Sequence, residues 1–387
     1  MFQIDDALFD AYPILRDSLL QRQYNKLEEP LRYISRDQDG LDALIRVVEL
    51  GLALDQHQHG DPLFTLQRTL QGQTYLDVKK HPLGLKLYQA IRFDAPLIRR
   101  HFPQHEFDPW VSCFLRQVEQ PPDLQEIIQL YREDAITIDH QRVYDVLQTC
   151  VEALRSLFHS EPFFLDIQQR YREMQHRHQR LHSYVKSRLE RTEKLMVCRI
   201  ELTYRDPVRC SRKRRPYITL DQTLDHQQAF AQSFATSGLF EHLVGSIWKL
   251  SYAAYKGFYY QWFFFFDGSA VLSGWEMSER IGRHWREQVG HEARFWNQHI
   301  DSGKYLPLGT GMIQRDQWSR WCNLDLALRN LCVVDYFMQL QHPQRRTFGR
   351  GYLRRSPEVG LEYSDAYSVE QSNMEQHWNR WRAKNIT

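Results

Sequence analysis

Residues 256–269 read Lys-Gly-Phe-Tyr-Tyr-Gln-Trp-Phe-Phe-Phe-Phe-Asp-Gly-Ser, and this stretch decides the fold. Aromatic side chains favour the pleated, packed surface of a sheet, and the run is apolar at both odd and even positions. We therefore predict a buried strand at the centre of a covered sheet, ended by an Asp-Gly turn. Tyr259 and Gln261 interrupt the run and, being two residues apart, project from one face of the strand.

Length and charge set broad limits on the class of protein. The 387 residues can bury a large core, as two domains or as one domain with an extension. The formal net charge of +2 gives no global field that would attract nucleic acid or membrane, so such contacts must come from local clusters. The longest apolar stretch, 262–266, is far too short to span a bilayer, and the acids Asp5 and Asp6 are unlike a secretory signal. We expect a cytoplasmic protein without membrane contact.

Several common chemistries have no motif in the sequence. The six cysteines are scattered without a Cys-x-x-Cys pair, which argues against a zinc module or a disulfide framework and favours reduced packing residues. There is no GxxxxGK[ST] phosphate loop and no GxSxG serine motif, so neither ATP use nor serine hydrolase chemistry is indicated. We expect no cofactor.

The chain divides into four segments by the periodicity of its apolar residues. Residues 1–160 show three- and four-residue spacings broken by prolines, which predicts an irregular helical N-terminal region. Residues 161–194 predict one long polar helix that connects two parts. Residues 195–352 mix β-forming and helical patterns and predict an α+β domain, and residues 353–387 form a C-terminal tail.

Within the α+β domain, we predict alternating strands and helices with the helices on one face of the sheet. The first strand begins at Leu195, and residues 221–256 are predicted as a helix that leads into the aromatic strand. Ala270 to Leu272 is predicted as a short hairpin strand. The remaining predicted elements are a helix at 276–288, a strand at 311–314 and a helix at 316–341.

The α+β domain resembles a known family. The residues that carry the likeness are 256–269, then Ile281-Gly282 and Trp285, and the ending Arg346-Thr347-Phe348-Gly349-Arg350-Gly351. Together they resemble the inovirus-type replication protein family, which includes the YagK and YfjJ prophage proteins and is similar to rolling-circle initiators of the HUH endonuclease class. The likeness covers about residues 190–352, and it implies an HUH/Rep-like antiparallel sheet with helices.

The resemblance implies a particular chemistry for the aromatic strand. In such initiators two histidines on one strand face hold a divalent metal that polarises the scissile phosphate, and a helix supplies a tyrosine nucleophile followed by a lysine. The histidine positions correspond to Tyr259 and Gln261, whose neutral oxygens are poor substitutes for imidazole. The Tyr-x-x-Lys positions correspond to Asn330 and Val333, and asparagine cannot form the covalent link. The resemblance therefore implies an initiator fold with a degenerate active site.

A displaced active site is the alternative. Tyr336 lies on the same predicted helix and is the fallback nucleophile, although a core or interface tyrosine is the plainer interpretation. Glu201 and Asp267 are the fallback metal ligands, and Glu201 is otherwise expected to be an exposed or ion-paired strand residue. Only under this alternative do we expect Mg²⁺ or Mn²⁺ as a cofactor.

Two basic groups are the candidate DNA contacts. We expect the first, in a loop after the first strand, to bind nucleic acid phosphates, and the second to add contacts near the sheet. The first group is Arg209, Arg212, Lys213, Arg214 and Arg215, and the second is Arg345, Arg346, Arg350, Arg354 and Arg355.

Two histidine pairs are interpreted as solvated. His57 and His59 stand in a polar stretch that is expected to be a loop, and His178 and His182 stand among Arg and Gln on the long polar helix. Without further ligands, neither pair predicts a metal site.

Three functions are compatible with the sequence. The first is a prophage- or inovirus-derived protein that binds single-stranded or hairpin DNA but has lost nicking activity, with the helical N-terminal region recruiting a protein partner or oligomerising. The second is an active nicking enzyme with displaced catalytic residues. The third is a regulatory or defence module in which the same fold binds another protein.

Overall fold

A computed structural model describes residues 21–24, 30–33, 38–57, 62–132, 139–205, 218–254, 256–301 and 309–351 of the 387-residue chain. The described part combines helices with antiparallel sheets, so the predicted α+β class is confirmed. The first basic group and the C-terminal tail from 353 lie outside the described residues.

The part of the chain before residue 160 is mainly helical, as its apolar spacing predicts. Proline starts three of the helices, because a proline in the first helical turn removes no intrahelical hydrogen bond. The helices are α1 (Gln38–Gln56), α2 (Pro82–Gln89), α3 (Ala95–His101), α4 (Pro109–Glu119), α5 (Pro122–Arg132) and α6 (His140–Phe158). The strands are β1 (Gln21–Tyr24), β2 (Pro30–Tyr33), β3 (Thr65–Arg68), β4 (Thr74–Asp77) and β5 (His105–Phe107), with β1 paired to β2 and β3 to β4.

One long helix follows, α7 (Glu161–Thr192), and it confirms the predicted helix. Its 32 residues span about 48 Å at 1.5 Å per residue. One side of α7 is buried in the core, where it presents Phe163, Ile167, Met174, Leu181, Tyr184, Val185 and Leu189. Glu193, with a φ of 63°, then reverses the chain into the first long strand.

A six-stranded antiparallel sheet follows α7. Its strands are β6 (Lys194–Tyr204), β7 (Leu243–Ala253), β8 (Gly257–Asp267), β9 (Ala293–Asn297), β10 (Gly311–Gln314) and β12 (Phe348–Arg350), while β11 (Met338–Leu340) pairs outside it with β5. The strand order is β10-β6-β8-β7-β12, and β9 pairs with the other half of β6. The aromatic run is the central strand β8, and residues 257–266 are all buried, which confirms the prediction.

Helices cover both faces of the sheet, so the prediction of helices on one face is wrong. The helices α8 (Leu220–Gln232) and α9 (Gly274–Val289) pack on the face that carries the even-numbered residues of β8, such as Trp262. The helices α7 and α10 (Trp318–Phe337) pack on the face that carries the odd-numbered residues, such as Phe263. A central strand that is apolar on both sides requires this arrangement, because each side must be removed from water.

The odd-numbered face shares its core with the N-terminal helices. One cluster of buried apolar side chains runs from Leu44 of α1 through Val151 of α6 and Val185 of α7 to Phe263 of β8. The antiparallel pairing of β11 with β5 ties the end of α10 to the same region. The helices before residue 160 and the sheet are therefore held together by a continuous core.

The predicted helix at 221–256 is wrong in its second half. The helix α8 ends at Gln232, and residues 243–253 form β7, which pairs along its length with β8. The apolar residues Leu243, Val244, Ile247 and Trp248 also fit helical spacing, which explains the error. Pairing with the aromatic strand selects the extended conformation.

Two smaller predictions also differ from the structure, and one strand was missed. Ala270 to Leu272 is a turn that leads into α9, and the strand β9 was not predicted. The helix predicted to reach residue 341 ends at Phe337, because residues 338–340 pair with β5. The strand β9 and residues 338–340 take their conformation from strands that are distant in sequence, whereas the amides of Ala270 and Val271 donate to the nearby Asp267 carbonyl.

Candidate functional site

A row of polar residues crosses the three central strands beneath α10. The antiparallel register places Glu201 of β6 and Lys249 of β7 directly beside Gln261 of β8. Cross-strand neighbours lie about 4.5–5.5 Å apart at Cβ, so the three side chains share one site, which we call the polar row. They are 5, 4 and 7 % exposed, respectively, although two of them carry formal charges.

Lys249 is anchored to α10. Its Nζ lies 2.7 Å from Asp335 Oδ1 and donates a hydrogen bond of 3.0 Å to the Leu331 carbonyl, one helical turn earlier. Arg177 of α7 pairs with the other oxygen of Asp335. Burial lowers the pKa of Lys249, and the Asp335 carboxylate opposes that effect. The ammonium is thus held between sheet and helix by a carboxylate that it shares with Arg177.

Glu201 is neutralised by Lys256, which lies between β7 and β8. The Lys256 Nζ lies 2.9 Å from Glu201 Oε2, and both side chains are buried. The same Nζ lies 3.7 Å from the centroid of the Tyr259 ring, within the range of a cation–π contact. Tyr259, to which the resemblance assigns a metal-binding histidine, therefore faces an ammonium group of the chain itself.

These residues do not fit a divalent metal. A nicking site needs imidazole or carboxylate ligands, whereas Tyr259 and Gln261 offer neutral oxygens and Glu201 is paired with Lys256. An ammonium beside Glu201 would also repel a divalent cation, and charges in a buried site interact more strongly than in water. Within the described ranges, no group of three or more His, Cys, Asp and Glu side chains is arranged to hold a metal.

The positions implied for the nucleophile lie on α10. Asn330 directly precedes Leu331, whose carbonyl accepts from Lys249. The Asn330 Oδ1 is buried and accepts no hydrogen bond from any residue that the structure describes. Val333 is buried in the core shared by α10 and the sheet. This stretch of α10 covers the polar row and offers no group able to attack a phosphate.

Tyr336, the fallback nucleophile, is a buried core residue. Its ring centroid lies 6.5 Å from that of Tyr171 and 5.1 Å from that of Phe337, both in edge-on contacts. Its hydroxyl is buried and has no hydrogen-bond partner in the described part of the chain. Burial raises the pKa of Tyr336, and the nearby Asp108 raises it further. A buried phenol kept in its protonated form is poorly suited to attack DNA.

The fallback metal ligands Glu201 and Asp267 lie far apart. Asp267 ends β8 six residues after Gln261, which corresponds to about 20 Å along a strand. Its Oδ1 accepts a hydrogen bond of 2.8 Å from the Ser269 amide and stabilises the turn. Asp267 is therefore a turn residue, and Glu201 is an ion-paired strand glutamate.

The second basic group is only partly available to a ligand. Arg345 Nη1 lies 2.7 Å from Asp225 Oδ1 of α8, so its charge is largely neutralised. Arg346 and Arg350 are exposed, and the Arg350 guanidinium lies 5.3 Å from the centroid of the Tyr184 ring. Arg354 and Arg355, like the whole stretch from Arg209 to Arg215, fall outside the described residues.

The histidines of α7 are not solvated, contrary to the prediction. His178 Nε2 and His182 Nδ1 lie 2.9 and 2.8 Å from the same oxygen of Asp325 on α10. His182 also packs edge-on against Trp321 at 5.0 Å. Burial alone would raise the pKa of Asp325, but the hydrogen bonds of the two imidazoles outweigh burial and hold that pKa below its usual range. The pair joins α7 to α10.

His57 is also not a solvated loop residue. Its Nδ1 lies 2.6 Å from Arg155 Nη2 of α6, and its Nε2 lies 3.4 Å from His81 Nε2 at the start of α2. These contacts join the end of α1 to α2 and α6. His59 lies outside the described residues.

Sequence reasoning missed the residues that complete the polar row. Lys249 falls in the second half of the predicted helix. Ile247, Lys249 and Ser251 are two residues apart, so in a strand they project from one face, and this spacing is the signal that would have placed Lys249 beside Gln261. Arg177 and Asp335 carry no comparable signal, because their contact depends on how α7 and α10 pack together.

Comparison with known proteins gives one match. Residues 165–351 match the family model of the YagK/YfjJ C-terminal domain, from within α7 to the residue after β12. No curated protein and no solved structure matches the chain. In the described part, no helix combines the length and the apolar character needed to cross a membrane.

Proposed function

We propose that this chain is a cytoplasmic DNA-binding protein that keeps the fold of an inovirus or prophage rolling-circle initiator and does not nick DNA. The observation that carries the proposal is the polar row. Where an initiator would use two histidines and a metal, this chain has Tyr259 and Gln261, with Lys256 paired to Glu201 at 2.9 Å.

The built-in cations explain how the fold persists without a metal. A buried carboxylate without a partner is strongly destabilising, and an initiator-like strand that loses its metal would leave Glu201 uncompensated. Lys256 supplies one positive charge to Glu201, and Lys249 with Arg177 supplies two to Asp335. Cationic side chains of the protein therefore neutralise both carboxylates, and neither carboxylate is left to bind a metal.

The residues at the implied nucleophile positions also support the proposal that the protein does not nick DNA. Asn330 lacks a nucleophilic group, and Tyr336 is buried with a raised pKa. Reaching a DNA phosphate with Tyr336 would require α10 to leave its core, which contains Leu331 and Val334. Such a movement would expose buried apolar surface to water, which costs about 25 cal/mol for each Å² and therefore opposes the movement.

DNA affinity is supported by local positive charge in a chain that is nearly neutral overall. The segment 209–215 carries five cations, and Arg346 and Arg350 are exposed at the edge of the sheet. Cations of this kind bind the phosphate backbone by releasing counterions, which requires no metal and gives no cleavage. Single-stranded or hairpin DNA is the proposed ligand, and the N-terminal helices are the proposed surface for a protein partner.

The test uses the full-length protein with labelled single-stranded and hairpin oligonucleotides. We expect binding that weakens steeply between 50 and 200 mM salt, and an unchanged DNA length after incubation with Mn²⁺ or Mg²⁺. Cleaved DNA would overturn the proposal in favour of a displaced active site. Absence of binding at 50 mM salt would overturn it in favour of a protein-interaction module.

A further inference from the structure

We infer that nucleic acid phosphates contact a basic surface formed by the outer side of α7 and by strand β12, in addition to the segment 209–215. The inference rests on the proposed DNA binding and assigns a location to it. We call this surface the α7–β12 face; it comprises Arg172, His176, Arg180, Lys186, Arg346 and Arg350, all of them exposed.

The second half of α7 carries many more positive than negative charges. Residues 172–191 contain six Lys and Arg residues against two Glu residues. Arg172, His176 and Arg180 follow one another at four-residue spacing, so they form a row on one side of the helix with a rise of about 6 Å between successive members. A row of cations along a helix gives a polyanion several contacts along one line.

Three exposed arginines of this surface differ from neighbouring arginines in their ion pairing. Arg172, Arg180 and Arg350 form no ion pair with a residue in the described ranges. This distinguishes them from Arg177, which pairs with Asp335, and from Arg345, which pairs with Asp225. The positive charge of Arg172, Arg180 and Arg350 is therefore available to a ligand.

Strand β12 is fixed rigidly beside the helix. The Arg350 Nη1 donates a hydrogen bond of 3.1 Å to the Arg180 carbonyl, and the Tyr184 hydroxyl donates one of 2.7 Å to the Gly351 carbonyl. A Cβ added at Gly349 would lie 2.7 Å from the Trp248 ring, so this glycine allows the strand to lie close to β7. The guanidinium of Arg350 is thus pre-organised next to the row on α7, which lowers the entropy lost on binding.

The opposite side of the sheet provides a contrast. The helix α9 contains three Arg and three Glu residues, so its charges balance. Its exposed Arg280, Arg283 and Arg286 are interspersed with exposed Glu276 and Glu287. A polyanion that approaches the protein therefore meets net positive charge on α7 and none on α9. These three arginines are a matched control for charge reversal.

The experiment compares two triple variants of the full-length chain. The test variant is Arg172→Glu, Arg180→Glu and Arg350→Glu, and the control is Arg280→Glu, Arg283→Glu and Arg286→Glu; both lower the net charge by the same amount. Binding of labelled single-stranded and hairpin DNA is measured by fluorescence anisotropy from 50 to 200 mM salt. Thermal unfolding by circular dichroism verifies that both variants are folded.

We expect the test variant to bind DNA at least about tenfold more weakly, with a slope of log affinity against log salt that is shallower by about two to three. The control variant should change affinity by less than about threefold. If Arg350→Glu disturbs β12, the milder variant Arg172→Gln and Arg180→Gln should still lower the slope by about one to two.

Two outcomes overturn the inference in different ways. Equal losses of DNA affinity in the test and control variants would mean that only net charge matters. If the test variant binds DNA as the unmodified protein does, and charge reversal at residues 212–215 lowers the affinity, the contact is limited to that segment. In both cases the proposed function stands. Absence of DNA binding by the unmodified protein would instead overturn the proposed function together with the inference, and an acidic protein ligand would then become the partner to test.

Discussion

The Lys256 ammonium lies 2.9 Å from the Glu201 carboxylate in the interior of the sheet domain, next to the strand that decides the fold. This ion pair occupies the position where the resemblance to rolling-circle initiators implies a divalent metal. The positive charge that neutralises Glu201 is therefore supplied by a side chain of the protein and not by a bound metal. The ion pair therefore bears both on the stability of the fold and on the proposal that the chain lacks a metal site.

The first prediction concerns removal of the lysine. Lys256→Met leaves Glu201 buried without its partner, and we expect the free energy of unfolding to fall by about 3–5 kcal/mol. Urea denaturation followed by circular dichroism measures the change. The double variant Lys256→Met and Glu201→Met should recover most of the loss, because it removes both buried charges.

An exposed ion pair is the control for that experiment. Arg99 Nε lies 2.7 Å from Glu119 Oε1, with side chains 44 and 38 % exposed. Arg99→Met should therefore change the free energy of unfolding by about 1 kcal/mol or less. Equal effects of Arg99→Met and Lys256→Met would show that the pair beside β8 is not a buried electrostatic contact.

The second prediction concerns pH and the Lys249–Asp335 pair. Asp335→Asn removes the carboxylate that opposes burial, so the pKa of Lys249 should fall further below its ordinary value of 10.5. The folded state then binds fewer protons than the unfolded state, and stability rises with pH up to about 10. Urea denaturation should show a smaller deficit for the variant at pH 9.5 than at pH 7. A deficit that persists unchanged at pH 9.5 would contradict this role of Lys249.

The third prediction concerns Asp108, which caps α4. Burial raises its pKa to about 7, although hydrogen bonds from the Val111 and Trp110 amides oppose the effect. Between about pH 4 and pH 7 the folded state holds a proton that the unfolded state releases, so stability falls as pH rises, by a few kcal/mol at most. The slope that Asp108 contributes is measured as the difference between the unmodified protein and Asp108→Asn at pH 4.5 and 7.5, because burial lowers the pKa of His105 to about 3 and that of His299 to about 4, which makes stability rise with pH over part of the same range.

The matching variants isolate Asp108 as the source of that slope. Asp108→Asn keeps an acceptor for the cap and removes the titration, so the unfolding free energy of this variant relative to the unmodified protein should rise between pH 4.5 and 7.5. Asp139→Asn changes an exposed cap of α6 that accepts from the Gln141 and Arg142 amides, and it should leave the slope unchanged. A pH dependence that is identical in the unmodified protein and in Asp108→Asn would contradict the role of Asp108.

The fourth prediction distinguishes two buried tyrosines. Tyr336→Phe removes a buried hydroxyl without a described partner, and we expect the free energy of unfolding to rise by about 1 kcal/mol. Tyr184→Phe removes a hydroxyl that accepts from the Ser246 amide and donates to the Gly351 carbonyl, and it should cost about 1–3 kcal/mol. Thermal unfolding measures both. Destabilisation by Tyr336→Phe would indicate a functional or structural partner for that hydroxyl.

The central strand was predictable from the sequence because its signal is local. An aromatic run that is apolar at both odd and even positions, with an Asp-Gly turn at its end, fits a buried strand of about eleven residues and no surface element. The helix α7 was predictable for a similar reason, since its pattern continues over 32 residues. Local signals of this length leave few alternatives.

The remaining differences come from contacts between distant residues. The strand β7 has apolar spacings that fit a helix or a strand, and only its register with β8 decides between them. His178 and His182 stand among polar residues, yet Asp325, more than 140 positions later, removes them from solvent. The polar row has the same origin, because the cation beside Glu201 and the partner of Lys249 are set by tertiary packing.

The mass of the intact protein after incubation with single-stranded or hairpin DNA and Mn²⁺ tests directly whether the protein nicks DNA. A nicking initiator acquires a nucleotide through its tyrosine. Because Lys256 is paired with Glu201, Lys249 is paired with Asp335 and Tyr336 is buried, we predict that the protein binds the DNA and keeps its unmodified mass. A covalent DNA adduct that disappears in Tyr336→Phe would contradict the account.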